Sequence, residues 1–131
     1  MINKLSGWDD TIVAVATAPG IGAIAVIRLS GSKALDIINN LFPAKNLHTQ
    51  PTHTLHVGIL NNGETDIDEV VVSIYKGPRS YTGENVVEIS CHGSPYVQQQ
   101  VIRACIQKGA RLAKAGEFTQ RAFLNGKLDL T

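Results

Sequence analysis

A chain of 131 residues, 44% of them hydrophobic, has the size of one compact domain, which buries roughly two-thirds of the surface its unfolded form exposes. Twelve Lys and Arg against eleven Asp and Glu leave a formal net charge of +1 with no long single-sign run. That balance excludes a solvated charged tail and argues against affinity won mainly by neutralising phosphates, which needs a basic patch or stripe. Cys91 and Cys105 are too few for a disulfide framework and too widely spaced for a paired metal knuckle, so a reducing compartment is expected. Residues 1–10 lack the apolar core of a secretion signal and no run approaches membrane-spanning length, so a soluble, cytoplasmic protein with no membrane contact is expected.

Residues 11–17 (Thr-Ile-Val-Ala-Val-Ala-Thr) and 23–29 (Ala-Ile-Ala-Val-Ile-Arg-Leu) are short β-branched runs and are predicted strands. The turn residues Ala18-Pro19-Gly20-Ile21-Gly22 separate them. A helix is predicted over 32–42, with Ser30 or Ser32 as its cap, Ala34, Leu35, Ile38 and Leu41 as one buried stripe, and Pro43 closing it. After a polar loop over 44–53, a strand from Thr54 to Leu60 ends in the turn Asn61-Asn62-Gly63, and a longer strand from Ile67 to Lys76 pairs with it.

The stretch Lys76-Gly77-Pro78-Arg79-Ser80-Tyr81-Thr82-Gly83 is loop material leading into a strand over Glu84 to Cys91. Ser94-Pro95 is a cap followed by proline at the first helical position; Val97, Val101, Ile102 and Cys105 form that helix's apolar face, and Gly109 ends it. Ala110 to Ala113 adds a short strand, and a last helix opens at Ala115-Gly116-Glu117, carries Phe118, Ala122 and Phe123, and stops at Asn125-Gly126. Strands and helices mix without regular crossovers, so the expected fold class is α+β, a mainly antiparallel mixed sheet with three helices in a single domain over 1–131.

Pro19-Gly20-Ile21-Gly22 is not a phosphate-binding loop, because no Lys-Ser or Lys-Thr follows and the next residues favour a strand over a helix N-terminus. His48, His53, His56, His92 and Cys91 lack the tight spacing of zinc ligands, and no metal is expected. His92 stands in Cys91-His92-Gly93 at a strand end before a helix start, where it is either a turn residue or a ligand contact.

Arg28 and Glu88 are the informative charges. Arg28 shares a strand face with Ile24 and Val26, and Glu88 one with Val86 and Ser90, while the opposite face of each strand is apolar. Two explanations stay open: the pair neutralise each other as a structural ion pair, or they project inward to hold a polar ligand.

Several stretches resemble the N-terminal domain of the MnmE (TrmE) family of tRNA-modification GTPases. They are Asp10-Thr11-Ile12-Val13-Ala14, Ala16-Thr17, Pro19-Gly20, Arg28-Leu29-Ser30-Gly31, the run from Gly77 to Glu88, Cys91-His92-Gly93-Ser94, and sixteen consecutive residues from Ala115 to Leu130. The resemblance implies a fold similar to the folate-binding domain of the glycine-cleavage aminomethyltransferase, used to bind a reduced folate and to form a homodimer. It maps the family's folate contacts onto Arg28, Glu88 and Lys127 and assigns no catalytic residue to this chain.

The cofactor it implies is a tetrahydrofolate derivative, 5-formyl- or 5,10-methylene-tetrahydrofolate, whose one-carbon unit becomes the methylene of a 5-carboxymethylaminomethyl or aminomethyl group on the wobble uridine of certain tRNAs. The implied partners are a second copy, the FAD- and NADH-dependent protein MnmG, and tRNA through the full complex. GTP, Mg and K belong to a GTPase domain whose motif is absent from these residues, as are the family's helical domain and its terminal Cys-x-Gly-Lys, so the chain is expected to be part of a longer protein. Three other readings remain: a free-standing folate-dependent aminomethyltransferase, disfavoured by length; a ligand-free structural dimer module in which Arg28 and Glu88 merely pair; and a direct tRNA grip, disfavoured by the neutral charge.

Overall fold

The computed structural model describes residues 10–18 and 22–127. The stretch over 1–9, the turn Pro19-Gly20-Ile21 and the closing Leu128-Asp129-Leu130-Thr131 lie outside the described residues. Six strands, β1 (Ile12–Val15), β2 (Ile24–Ser30), β3 (Thr54–Asn61), β4 (Asp66–Tyr75), β5 (Val86–His92) and β6 (Arg111–Leu112), form one sheet in the order β3-β4-β5-β2-β1-β6. Among the described residues only the β1–β6 pair is parallel. With the helices α1 (Ala34–Leu41), α2 (Pro95–Gln107) and α3 (Glu117–Leu124), this is the α+β, mainly antiparallel architecture expected from the sequence.

The period of two along each strand sorts the sheet into two unlike faces. Ala25, Ile27 and Leu29 of β2 and Val87, Ile89 and Cys91 of β5 point into one core with Leu35, Ile38 and Leu41 of α1 and Val101, Ala104 and Cys105 of α2. The intervening residues, Val26, Arg28, Glu88 and Ser90, occupy the face away from that core, which α1 and α2 leave uncovered.

Helix boundaries follow local chemistry. The Ser94 hydroxyl accepts from the Val97 amide at 3.1 Å with Pro95 at the first helical position, which satisfies one of the orphan amides of α2. The expected cap of α1 is corrected. Neither Ser30 nor Ser32 caps it, because Lys33 takes the cap position without a side-chain bond and its amide donates to the Thr11 hydroxyl at 2.9 Å. Ser30 is engaged elsewhere, with Thr82 and Glu84, each at 2.7 Å. Gly31 makes room for Thr11: at φ +143° it lies so close that a Cβ there would sit 2.5 Å from the Thr11 hydroxyl.

Candidate functional site

Arg28 and Glu88 are cross-strand partners in the β2–β5 register, which sets their side chains side by side on the open face. The Arg28 Nε–H donates to Glu88 Oε2 at 2.7 Å, and the two side chains keep 24% and 25% of their surface exposed. An ion pair this accessible contributes little to stability, about 0.2–1 kcal/mol. Two rings stand over its guanidinium. Tyr81, on the loop between β4 and β5, and Phe118, on α3, lie 5.1 and 5.5 Å from the Arg28 guanidinium carbon. Each contact adds about 0.5–1 kcal/mol and fixes the guanidinium plane.

The Tyr81 hydroxyl and the Thr119 hydroxyl are 3.0 Å apart, so loop and helix are joined over the pair. Among the described residues no hydrogen bond reaches the terminal nitrogens of Arg28 or Oε1 of Glu88. The pair therefore keeps donors and an acceptor for a further partner.

Beneath this site lies an ionic network that the sequence reading missed. Arg121 of α3, only 1% exposed, donates to the Asp10 carbonyl at 2.7 Å and to the carboxylates of Asp10, Glu84 and Glu117 at 2.8, 3.2 and 3.3 Å. Arg111 of β6 pairs with Asp10 at 2.6 Å and with Glu117 at 2.7 Å. The hydrogen bond from Arg111, aided by Arg121 and opposed by partial burial, holds the Asp10 carboxyl below its ordinary range. Burial pushes the Glu117 carboxyl up, but the bonds from Arg111 and the Lys114 amide outweigh it and the net shift is downward. The available signal was Glu117 and Arg121 at i, i+4 within the run from Ala115 to Leu130, a spacing that places both on one helix face.

The structure brings Arg28 and Glu88 together, and among the described residues neither is hydrogen-bonded or ion-paired to Lys127. Lys127 is exposed and has no ion-pair partner among the described residues; its stem packs on the loop, where a Cβ on Gly83 would lie 3.4 Å from Lys127 Cγ. Gly83 stands two residues beyond Tyr81, so the Arg28 and Lys127 side chains border the same loop. The aromatic neighbours of Arg28 were not singled out from the sequence, since a ring four residues before Asn85 and one at the start of a helix carry no periodic mark.

The histidines are dispersed: His48 meets Asp36 at 2.9 Å, His92 meets Asp68 at 2.7 Å and His56 shares Nε2 with the Thr54 hydroxyl at 2.8 Å. A shallow cavity of about 280 Å³ lies farther along the open face, bordered by Ile24, Val57, Glu69, Val71, Ser90 and His92, and does not include Arg28 or Glu88. Among the described residues, no helix is long and apolar enough to cross a membrane.

Comparison with known proteins gives a consistent result. Residues 11–127 match the family described as GTP-binding protein TrmE N-terminus. The tRNA modification GTPase MnmE of Flavobacterium johnsoniae is 61% identical over 135 residues, covering 100% of this chain and 28% of that protein. The protein of the same name from Cytophaga hutchinsonii is 57% identical over 126 residues, 96% of this chain and 27% of the relative. That of Ligilactobacillus salivarius is 49% identical over 124 residues, 93% and 27%. The chain thus spans just over a quarter of the length of these curated relatives.

Proposed function

The chain belongs to the family of TrmE N-termini, and from that premise we propose that it is the reduced-folate-binding and homodimerisation domain of a cytoplasmic tRNA-modification GTPase. In this reading the longer protein hydrolyses GTP, holding its GTP, Mg and K in a domain outside these residues. With MnmG it installs a carboxymethylaminomethyl or aminomethyl group at C5 of the wobble uridine of certain tRNAs. The 131 residues themselves bind and orient, with no catalytic role.

The observation that carries the folate assignment is the Arg28–Glu88 pair at 2.7 Å beneath Tyr81 and Phe118. A pterin is flat, has an aminopyrimidinone edge that donates two parallel N–H bonds, and has a carbonyl and tail carboxylates that accept. A carboxylate offers about four acceptor sites, so Glu88 can keep Arg28 and still receive that edge. The free terminal nitrogens of Arg28 suit the carbonyl oxygen, the two rings suit a flat heterocycle, and the exposed charge of Lys127 suits a formyl oxygen or a glutamate carboxylate. The residues present therefore fit a tetrahydrofolate derivative, which would supply the one-carbon unit.

Calorimetric titration with 5-formyltetrahydrofolate tests the reading. The protein should bind, and the double substitution Arg28→Ala with Glu88→Ala should remove the binding. Unchanged affinity in the double variant would place the folate away from Arg28 and Glu88; no binding by the unaltered protein would leave the second reading, a ligand-free dimer module, which the mutual satisfaction of Arg28 Nε and Glu88 Oε2 favours.

A further inference from the structure

Uncompensated charge is sorted along β4. At its Asp66 end stand the exposed carboxylates of Glu64, Asp66 and Glu69, none of them ion-paired among the described residues. The Tyr75 end lies about 30 Å away at the rise of an extended strand, and there the chain enters the loop over 76–85. That loop brings Lys76 and Arg79 and a single carboxylate, Glu84, which the Ser30 hydroxyl and the Arg121 guanidinium already engage. Arg79 is exposed and, like Lys127, has no hydrogen-bond or ion-pair partner among the described residues. The near-neutral total therefore conceals a basic end, and it is the end at which Tyr81 stands over Arg28.

The loop is closed on itself, which keeps its cations close. A Cβ on Gly77 would lie 2.8 Å from the Gly83 carbonyl oxygen, and one on Gly83 would lie 3.4 Å from Lys127 Cγ. The Ser80 hydroxyl accepts from the Gly83 amide at 3.1 Å and so ties the two arms together. Arg79 is two residues from Gly77, so its Cα is within about 8 Å of that contact. Arg79 and Lys127 thus rise from one small rim, next to the rings that cover Arg28.

Resting on the reduced-folate reading above, we infer that this rim selects reduced folates whose tail carries several γ-linked glutamates over the monoglutamate form. Each added glutamate brings one more carboxylate and little apolar surface, which suits exposed cations and not a closed pocket. Lys127 receives the first carboxylate as a point charge, and the planar guanidinium of Arg79 takes a later one through two parallel N–H bonds. A lone carboxylate would gain little from such exposed partners. A pterin held at Glu88 changes this, because it keeps the tail at high local concentration beside the rim and makes each further contact intramolecular.

Calorimetric titration with 5-formyltetrahydrofolate as the monoglutamate and as a form with several γ-linked glutamates tests this. In the unaltered protein at low salt the long-tailed form should bind about fivefold tighter, the upper range for an exposed ion pair. The ratio of the two affinities should fall to about one in Arg79→Ala, stay high in Arg79→Lys, and fall to about one in the unaltered protein at high salt. Should Arg79→Ala lose its circular dichroism signal, Arg79→Gln makes the same comparison. Equal affinities for the two forms in the unaltered protein, or a ratio that persists in a folded Arg79→Ala, overturns the rim while leaving the folate site standing. An unaltered protein that binds neither form overturns the folate reading and the rim with it.

Discussion

Arg121 of α3 donates to Glu84 at 3.2 Å and so ties the last helix to the root of the loop that carries Tyr81. The same guanidinium faces Glu117 and Asp10, and Glu117 is itself buried. Loop, helix and the start of β1 therefore share one cation.

Removing that cation takes Glu84 out of its ion pair and leaves Arg111 alone to neutralise Asp10 and the buried Glu117, which is more damaging than the net worth of the pairs themselves. Arg121→Met should lower unfolding free energy by about 3–5 kcal/mol, the range for breaking a buried ion pair from one side. Urea denaturation monitored by circular dichroism measures it. A loss below about 1 kcal/mol, the worth of an exposed pair, would mean that the network does not hold α3 in place.

Lys127 should separate binding from stability. It is exposed and pairs with nothing among the described residues, so Lys127→Ala should leave the melting temperature unchanged. Folate affinity should fall about tenfold, the worth of one charge-assisted hydrogen bond, and the difference should shrink as salt is raised. Calorimetry at two ionic strengths checks this; equal affinities at both would remove Lys127 from the site.

Acid should destabilise the protein in two stages. His56 is buried, its Nδ1 has no hydrogen-bond partner among the described residues, and burial followed by the charge of Lys45 lowers its pKa from 6.5. A depressed value means that the unfolded chain takes up a proton before the folded one does. Stability is therefore intact above 6.5 and is lost as pH falls from there towards the folded value. Asp10 and Glu117, both shifted downward from 3.8 and 4.5, contribute stability above those values that disappears only at lower pH. Melting temperatures followed from neutral to acid pH should show both declines in the native protein and only the lower one in His56→Leu. The same upper decline in both proteins would contradict the assignment to His56.

Both thiols should be inert in the folded protein. Burial, with the nearby Asp68 charge, pushes the Cys91 thiol up to about 11, and burial alone pushes Cys105 up to about 12. Since the thiolate is the reactive form, iodoacetamide at neutral pH should leave both unmodified in native buffer and alkylate both in urea, as read by mass spectrometry. Rapid native labelling of Cys91 would show that the end of β5 opens.

Much of the fold was legible because it depends on local periodicity. The alternation in β2 and β5 set Arg28 and Glu88 opposite the apolar face, and the Ser94-Pro95 start of α2 is a cap that its own residues specify. Legibility failed where distant residues decide. Ser30 looked like a helix cap, but Thr82 and Glu84, more than fifty residues away, compete for its hydroxyl. The same holds for Arg121, whose partners Asp10 and Glu84 come from the start and the middle of the chain. Inward projection of Arg28 and Glu88 was expected; their side chains instead face away from the core, with Tyr81 and Phe118, which tertiary packing alone brings there, over the Arg28 guanidinium.

A crystal structure of the protein soaked with 5-formyltetrahydrofolate addresses the ligand site most directly. The account predicts the pterin beneath Tyr81 and Phe118, its aminopyrimidinone edge within hydrogen-bond distance of Glu88 and its carbonyl on a terminal nitrogen of Arg28. Folate density elsewhere on the molecule, with the 2.7 Å Arg28–Glu88 pair undisturbed and no ligand atom touching it, would contradict the account.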